Sequence, residues 1–152
     1  MKTFKTIATG LYLSGALLMG SAQAANEEVI DAIEGYLMFS EYSGATMRPE
    51  QIPAEEWENI FVIDTRDAGQ YAEDHIPGAV NIEWRQILER RDEIPTDRQV
   101  LVYCNTGSLS SQAGLILRLA GYDNVRILQD GFTGWKAAGG FEAHERALEE
   151  VQ

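Results

Sequence analysis

Residues 100–122, VLVYCNTGSLSSQAGLILRLAGY, combine three patterns that together decide the fold. Val100–Tyr103 is a continuous apolar run, which is typical of a strand buried on both faces of a sheet. A short polar loop with one glycine follows, and apolar residues then recur at helical spacing over residues 113–120. Gly121 is a suitable residue to end that helix. The stretch therefore predicts a buried strand, a tight loop and a helix.

The same alternation continues on both sides of this stretch. Three further short apolar runs predict strands: Ile60–Ile63, Val80–Ile82 and Val125–Leu128. Helical patterns occupy Asp67–Glu73, Glu83–Arg91 and the residues after Asp130. Strands that alternate with helices predict an α/β fold, doubly wound, with a central, mainly parallel sheet flanked by helices. Such sheets bind ligands beyond the carboxyl ends of their strands, where both Asp64 and Cys104 fall.

The first 24 residues differ from the rest of the chain. Lys2 and Lys5 precede an uncharged, mostly apolar run over residues 7–19, and Ala22-Gln23-Ala24 is a small-x-small cleavage signature. The apolar run is short for a membrane span, so we expect residues 1–24 to be a signal peptide that is cleaved after Ala24. An uncleaved N-terminal anchor helix is the alternative. Cleavage predicts a periplasmic protein without stable membrane insertion.

The chain after the signal peptide divides into three predicted segments. Residues 25–58 form an N-terminal helical extension, in which Asn26 caps a helix that ends at Ser43-Gly44. Residues 59–140 form the α/β domain, and residues 141–152 form a polar C-terminal tail.

The charge of the chain excludes several classes of function. It has 24 acidic and 12 basic residues, and loss of Lys2 and Lys5 with the signal peptide changes its formal charge from −12 to −14. Such a surface repels nucleic acid and anionic lipid, and no basic stripe offsets it. Two distant histidines and one cysteine do not make a metal site. We therefore expect no nucleic-acid partner, no metal and no organic cofactor.

Cys104 is the only cysteine, so the chain cannot form an internal disulfide. It lies at a predicted strand end, before a polar loop and a helix N-terminus. Loop amides can form an anion nest, and a helix N-terminus adds about half a positive charge. Both lower a thiol pKa and suit nucleophilic attack on sulfur or phosphorus. The alternative is that Cys104 is a small buried apolar residue.

Two chemistries use a cysteine in such a loop. Cysteine phosphatases need an arginine six residues after the nucleophile to hold the phosphoryl oxygens, and that position is Ser110 here. This argues against a phosphatase or an arsenate reductase. Sulfur transfer needs only a thiolate that takes a sulfur atom, becomes a persulfide and passes the outer sulfur to a second thiophile. The sequence therefore favours sulfur transfer.

Five motifs in order along the chain resemble one family. They are Val62–Arg66, Tyr71 with His75–Asn81, Val102–Gly107 with Ser110 and Ala113, Ala120–Val125, and Leu128–Trp135. Together they resemble a single-domain rhodanese (thiosulfate sulfurtransferase-like family), with a likeness that covers Ile60 to Gly139. The resemblance implies that residues 59–140 are a rhodanese-like domain and that Cys104 is the catalytic residue, which carries a persulfide. It also implies substrate-binding residues around that sulfur: Asn105, Thr106, Gly107, Ser108, Leu109, Ser110 and Arg66.

The resemblance implies a sulfurtransferase that moves a sulfane sulfur from thiosulfate, mercaptopyruvate or polysulfide to a thiol acceptor. The acceptor would be a small molecule or a thioredoxin-like protein. Leu109 departs from the family pattern, because many members carry an arginine two residues after the loop glycine. The missing cation argues against thiosulfate as the preferred donor. The alternative is a non-catalytic rhodanese-like sulfur carrier or partner-binding module.

Several residues inside and outside the loop have candidate roles of their own. Arg66 either binds a donor anion or pairs with Asp67, Glu73 or Asp74 and holds the loop. Asp64 orients Arg66 or caps the following turn, and His75 anchors a turn.

Ser108 and Ser110 contact the outer sulfur, unless Ser110 is only a helix cap. Phe132 and Trp135 either line the pocket entrance or pack in the core.

Overall fold

The computed structural model of the protein describes residues 15–41 and 45–151. Most of the predicted signal peptide and the predicted helix end at Ser43-Gly44 lie outside these residues. The chain divides into two compact units, of which the first ends at Phe39 and the second begins at Ser40.

The first unit contains helix α1, Gly15–Phe39. The predicted helix start at Asn26 is wrong for the uncut chain, because the alanine-rich residues before Asn26 are strong helix formers and continue the helix. Within residues 15–41 and 45–151, no helix is both long enough and apolar enough to cross a membrane.

The second unit is built on a five-stranded sheet. Its strands are β1 (Thr46–Met47), β2 (Phe61–Asp64), β3 (Val80–Asn81), β4 (Val100–Tyr103) and β5 (Val125–Leu128). They lie in the order β1-β5-β4-β2-β3, and every neighbouring pair is parallel. The predicted α/β fold with a parallel sheet is confirmed.

Helices cover both faces of this sheet. They are α2 (Ala68–Glu73), α3 (Ser108–Leu119), α4 (Gly131–Ala138) and α5 (Ala143–Glu150). Successive residues of β4 contribute to opposite cores: Leu101 and Tyr103 pack with Phe132 and Trp135, and Val100 and Val102 pack with Ala113 and Leu117 of α3. Burial on both faces explains why the strands are continuous apolar runs.

The core also uses residues that precede the predicted domain start at Asn59. Two 3₁₀ turns, Pro49–Gln51 and Ala54–Asn59, bring Ile52 and Trp57 into contact with the aromatic cluster of α4. In the predicted C-terminal tail, α5 buries Ala143, and His144 Nδ1 lies 2.7 Å from the Glu50 carbonyl oxygen. Both ends of the domain are therefore packed against the sheet's helical layer.

The predicted helix at Glu83–Arg91 is wrong. The segment contains two short 3₁₀ turns instead, Trp84–Gln86 and Arg91–Glu93. Its buried anchors are Ile82, Ile87 and Ile94, whose spacing does not fit one helical face. Leu88, which follows the buried Ile87, is 45% exposed. The Trp84 amide donates to the Thr65 carbonyl oxygen, which fixes this segment at the carboxyl end of β2.

Candidate active site

Cys104 follows β4 directly and lies at the carboxyl edge of the sheet. Asp64 of β2 is paired with Tyr103 of β4, so Thr65 and Arg66 leave the sheet beside Cys104. Thr65 donates through both its amide and its hydroxyl to the Tyr103 carbonyl oxygen, at 2.8 Å each. The ends of the two central strands are therefore joined immediately before the cysteine.

The Cys104 sulfur is almost completely enclosed and faces hydrogen-bond donors. The residue is only 3% exposed. The Gly107 amide donates to Sγ at 3.2 Å, and the Ser110 hydroxyl lies 3.6 Å from it. Gly107 adopts φ +105°, a left-handed conformation that glycine accepts readily and that lets the loop enter α3. We call the N–H groups of residues 105–110 that surround the sulfur the amide nest.

The loop is fixed from behind by the start of α4. The Phe132 amide donates to the Cys104 carbonyl oxygen at 2.8 Å, and the Thr133 amide donates to the Asn105 carbonyl oxygen at 3.0 Å. With these carbonyl groups bound to α4, the loop amides are free to face the sulfur. Gly131 permits this approach, since a Cβ there would lie 2.4 Å from the Cys104 carbonyl oxygen.

Arg66 supports the loop from the side of β2. It is 4% exposed and forms an ion pair with Asp64, in which Nη2 lies 2.6 Å from Oδ2. The same Nη2 donates to the Asp74 carbonyl oxygen at 2.7 Å, and Nη1 donates to Asn105 Oδ1 at 3.1 Å. The guanidinium also stacks over the Phe132 ring, 4.7 Å from its centroid. Arg66 thus connects the end of β2 to the cysteine loop and α4.

These contacts decide the ionisation of the cysteine. Burial alone raises the pKa of Cys104, but hydrogen bonds from the amide and hydroxyl of Ser110, and from the amides of Thr106 and Leu109, more than offset it. The net effect lowers the pKa of the thiol. The hydrogen bond to Asp64 raises the pKa of Arg66, which therefore stays charged. These hydrogen bonds therefore favour the thiolate form of Cys104 relative to that of a free cysteine.

Comparison with known proteins agrees with this geometry. The family model for the rhodanese-like domain matches residues 50–138, more than half of the chain. The chain belongs to the rhodanese family. A sulfurtransferase from Allochromatium vinosum is 35% identical over 82 residues, which cover 54% of this chain and 77% of that protein. The thiosulfate sulfurtransferase GlpE of Coxiella burnetii is 33% identical over 88 residues, which cover 55% of this chain and 82% of that protein.

Solved structures also resemble this rhodanese. The rhodanese-like domain of an Anabaena protein is 27% identical, with a TM-score of 0.56 and coverage of 62% of this chain and 75% of that one. A rhodanese-related protein from Thermoplasma volcanium has a TM-score of 0.58 at 21% identity, covering 63% of this chain and 94% of that one, which shows the shared fold.

The structure brings most of the predicted site residues of this rhodanese together. Gly107 and Ser110 contact Sγ, Leu109 is half-buried at the loop, and Asn105, Thr106 and Ser108 are exposed on it. The prediction that Asp64 orients Arg66 or caps the following turn is confirmed, since its carboxylate binds the guanidinium and also accepts from the Arg66 amide. The other three carboxylates predicted as partners of Arg66 were wrong. The carboxylates of Asp67, Glu73 and Asp74 do not bind Arg66, because its guanidinium is already held by Asp64 and by the Asp74 carbonyl oxygen.

Three other candidate residues make their contacts within the turn and the core of the fold. His75 anchors its turn, with Nδ1 2.8 Å from the Tyr71 carbonyl oxygen and its ring stacked on the Tyr71 ring. Phe132 and Trp135 are buried in the core. The α4 amides that hold the loop were not predicted from the sequence, because backbone donors have no side-chain signature. Gly131 at the helix start was the available signal.

Within the described parts of the chain, no group of three or more histidine, cysteine or acidic residues is arranged to hold a metal ion.

Proposed function

We propose that this rhodanese is a sulfurtransferase that moves a sulfane sulfur from a donor to a thiophilic acceptor through a persulfide on Cys104. The candidate donors are thiosulfate, mercaptopyruvate and polysulfide. The observation that carries the proposal is the enclosed Sγ, bound by the Gly107 amide and close to the Ser110 hydroxyl. The similarity to sulfurtransferases supports the same reaction class.

The proposed cycle has two displacement steps. In the first, the Cys104 thiolate attacks the outer sulfur of the donor, a new S–S bond forms, and the donor's own bond to that sulfur breaks. The donor body leaves with the electron pair, as sulfite when the donor is thiosulfate. In the second, an acceptor thiolate attacks the outer sulfur of the persulfide and regenerates the Cys104 thiolate. The amide nest stabilises the negative sulfur in both resting and persulfide forms.

Ser110 has a distinct part in this cycle. Its hydroxyl lies 3.6 Å from Sγ and 3.2 Å from the Gly107 carbonyl oxygen, so it can donate to either one. Donation to Sγ favours the thiolate. A phosphatase arginine would have to occupy this buried position, and the small serine leaves no group to bind a phosphoryl oxygen in a bidentate manner. This supports sulfur transfer over phosphoryl transfer.

Intact-mass spectrometry tests the proposal directly. The protein is incubated with each of the three donors, freed of excess donor and weighed, with Cys104→Ser as the matched control. A gain of one sulfur in the wild type, removed by cyanide or a dithiol and absent from the variant, is the expected result. If none of the donors produces such a gain, the enzyme proposal fails.

A non-catalytic sulfur carrier is the second candidate. The 3% exposure of Cys104 favours the carrier function, because an enclosed persulfide is protected from small thiols in solution. Turnover separates the two functions. An enzyme regenerates the thiolate and completes many cycles with a small thiol acceptor, whereas a carrier loads once and releases sulfur only to a specific protein, such as a thioredoxin-like partner.

We also propose that the protein is exported to the periplasm and processed after Ala24. The N-terminal sequence supports export, because Lys2 and Lys5 are followed by an apolar run and by the cleavage signature Ala22-Gln23-Ala24. Expression of the full chain in a bacterium, followed by periplasmic extraction and mass measurement, tests this. The expected periplasmic mass begins at Ala25, and an uncut protein held in the cytoplasm or membrane fraction would contradict it.

A further inference from the structure

Three cations beside the Cys104 loop are engaged with acidic partners. Arg66 is bound by Asp64, Lys136 of α4 lies 3.1 Å from Asp74, and Arg85 beside Trp84 lies 2.9 Å from Glu83. Each pair is electrically neutral. The three pairs therefore add no net positive charge to the edge of the sheet where the sulfur lies.

Arg66 is the cation most closely associated with the loop, and it is unable to reach a donor. Nε and Nη2 are bound to Asp64, Nη2 also to the Asp74 carbonyl oxygen, and Nη1 to Asn105. The side chain is buried and stacked on Phe132. Releasing it would leave the buried Asp64 carboxylate without its counter-charge, which is strongly unfavourable. Its charge is thus compensated within the fold.

The exposed rim of the loop is neutral or apolar. Asn105, Thr106 and Ser108 are exposed and uncharged, and Leu109 is half-buried beside them. Asp130 is exposed immediately before Gly131, the residue that contacts the cysteine loop, and adds a negative charge without an ion pair in the described structure. A donor therefore meets a rim with no net positive charge, on a chain whose formal charge is −12.

From these charges we infer a preferred class of donor, an inference that rests on the proposed Cys104 persulfide chemistry. The donor is an organic persulfide, R–S–SH, whose carrier R bears no net negative charge and contacts Leu109. Thiosulfate is disfavoured because it would bring two negative charges to a thiolate whose surroundings provide only the amide nest. The reacting form of the organic persulfide is uncharged when R is neutral, so it escapes this repulsion.

The sulfur transfer is balanced without an additional reactant. The Cys104 thiolate attacks the outer sulfur of R–S–SH, and a bond forms between Sγ and that sulfur. The S–S bond of the donor breaks, and its electron pair leaves on R–S⁻, which takes a proton from water. The proton of the donor stays on the outer sulfur, so the product is a Cys104 hydropersulfide.

Loading rates measured with donors of graded charge test this inference. The donors are thiosulfate and the persulfides of cysteamine, 2-mercaptoethanol and mercaptoacetate, whose carriers are cationic, neutral and anionic. Cys104 is the only thiol of the chain, so every one-sulfur gain in intact mass reports on it. Wild type, Leu109→Arg and the uncharged control Leu109→Gln are compared at low and high salt.

In the wild type, the neutral and cationic persulfides are expected to load Cys104 faster than thiosulfate, and salt is expected to accelerate thiosulfate by screening repulsion. Leu109→Arg should increase the thiosulfate rate on the order of tenfold, from the Coulomb attraction of one cation for a dianion. Both variants remove the apolar contact of Leu109 with the carrier, so each should slow the neutral persulfide to a similar extent. Leu109→Gln should give thiosulfate no acceleration, because it adds no charge.

Two outcomes of this experiment distinguish failure of the donor inference from failure of the proposed function. If thiosulfate loads the wild type fastest, and Leu109→Arg leaves that rate unchanged, the inference about the donor is wrong while the Cys104 chemistry stands. If no donor adds sulfur to Cys104, the proposed function fails, and this inference fails with it.

Discussion

Replacement of Gly131 by alanine is the sharpest test of how the site is held. Gly131 has φ +56°, and a Cβ there would lie 2.4 Å from the Cys104 carbonyl oxygen and 2.8 Å from the backbone of Asn105. The obstructing atoms are backbone, so no side-chain rotation can relieve the contact. The loop or the start of α4 must shift, and the amide nest around Sγ must shift with the loop.

The expected loss of unfolding free energy in Gly131→Ala is the sum of a conformational cost and a steric cost. A left-handed conformation costs an L-residue about 1–2 kcal/mol, and forcing extra volume into a packed site costs about 1–3 kcal/mol. Gly131→Ala should therefore lower the free energy of unfolding by about 2–5 kcal/mol. Gly78→Ala is the matched control: Gly78 has φ +85°, but a Cβ there would meet no heavy atom within 4 Å, so only the conformational cost of about 1–2 kcal/mol applies.

Urea unfolding, followed by tryptophan fluorescence, gives the free energy of unfolding of each variant. Iodoacetamide alkylation at a series of pH values gives the pKa of Cys104. Gly131→Ala should be the less stable variant, and its thiol pKa should rise toward that of free cysteine because the amide nest is displaced. Gly78→Ala should keep the wild-type thiol pKa. Equal stability of both variants, together with an unchanged thiol pKa in Gly131→Ala, would refute the proposed support of the loop by α4.

Other changes have equally defined outcomes. Ser110→Ala should raise the pKa of Cys104, seen as alkylation that begins at higher pH than in the wild type; an unchanged profile would show that the hydroxyl does not stabilise the thiolate. Because folding lowers the pKa of Cys104, the unfolded thiol holds more protons, so the free energy of unfolding should rise as pH increases from the folded pKa to about 8.5, and fall again on acidification. Cys104→Ser should abolish that rise in urea titrations. Arg66→Met should cost about 3–5 kcal/mol by leaving Asp64 buried and unpaired, and adding Asp64→Asn should restore part of it; a loss below about 1 kcal/mol would contradict the buried ion pair.

Local sequence patterns predicted the central part of the fold. Val100–Tyr103 and Val125–Leu128 are strands at the predicted bounds, since strands buried on both faces are visible as short apolar runs. The polar loop after the first of these runs, and the helix that follows, were equally clear. These features depend on neighbours within a few residues, which a sequence displays directly.

Features that depend on distant partners were missed. Strand β1 has only two residues and exists because Thr46 and Met47 pair with β5, about eighty residues later in the chain. The segment after Glu83 has a helical composition, but burial of Ile87 and attachment of Trp84 to Thr65 keep it in short turns.

Isolation of the sulfur-loaded protein offers the most direct test of the central claim, that Cys104 carries sulfur from donor to acceptor. Loaded protein, freed of donor, is mixed with a thiol acceptor, and the masses of protein and acceptor are followed together. One sulfur should leave Cys104 for each acceptor persulfide formed, and Cys104→Ser should neither load nor transfer. Wild type that gains no sulfur, or that transfers it no better than Cys104→Ser, would contradict the claim.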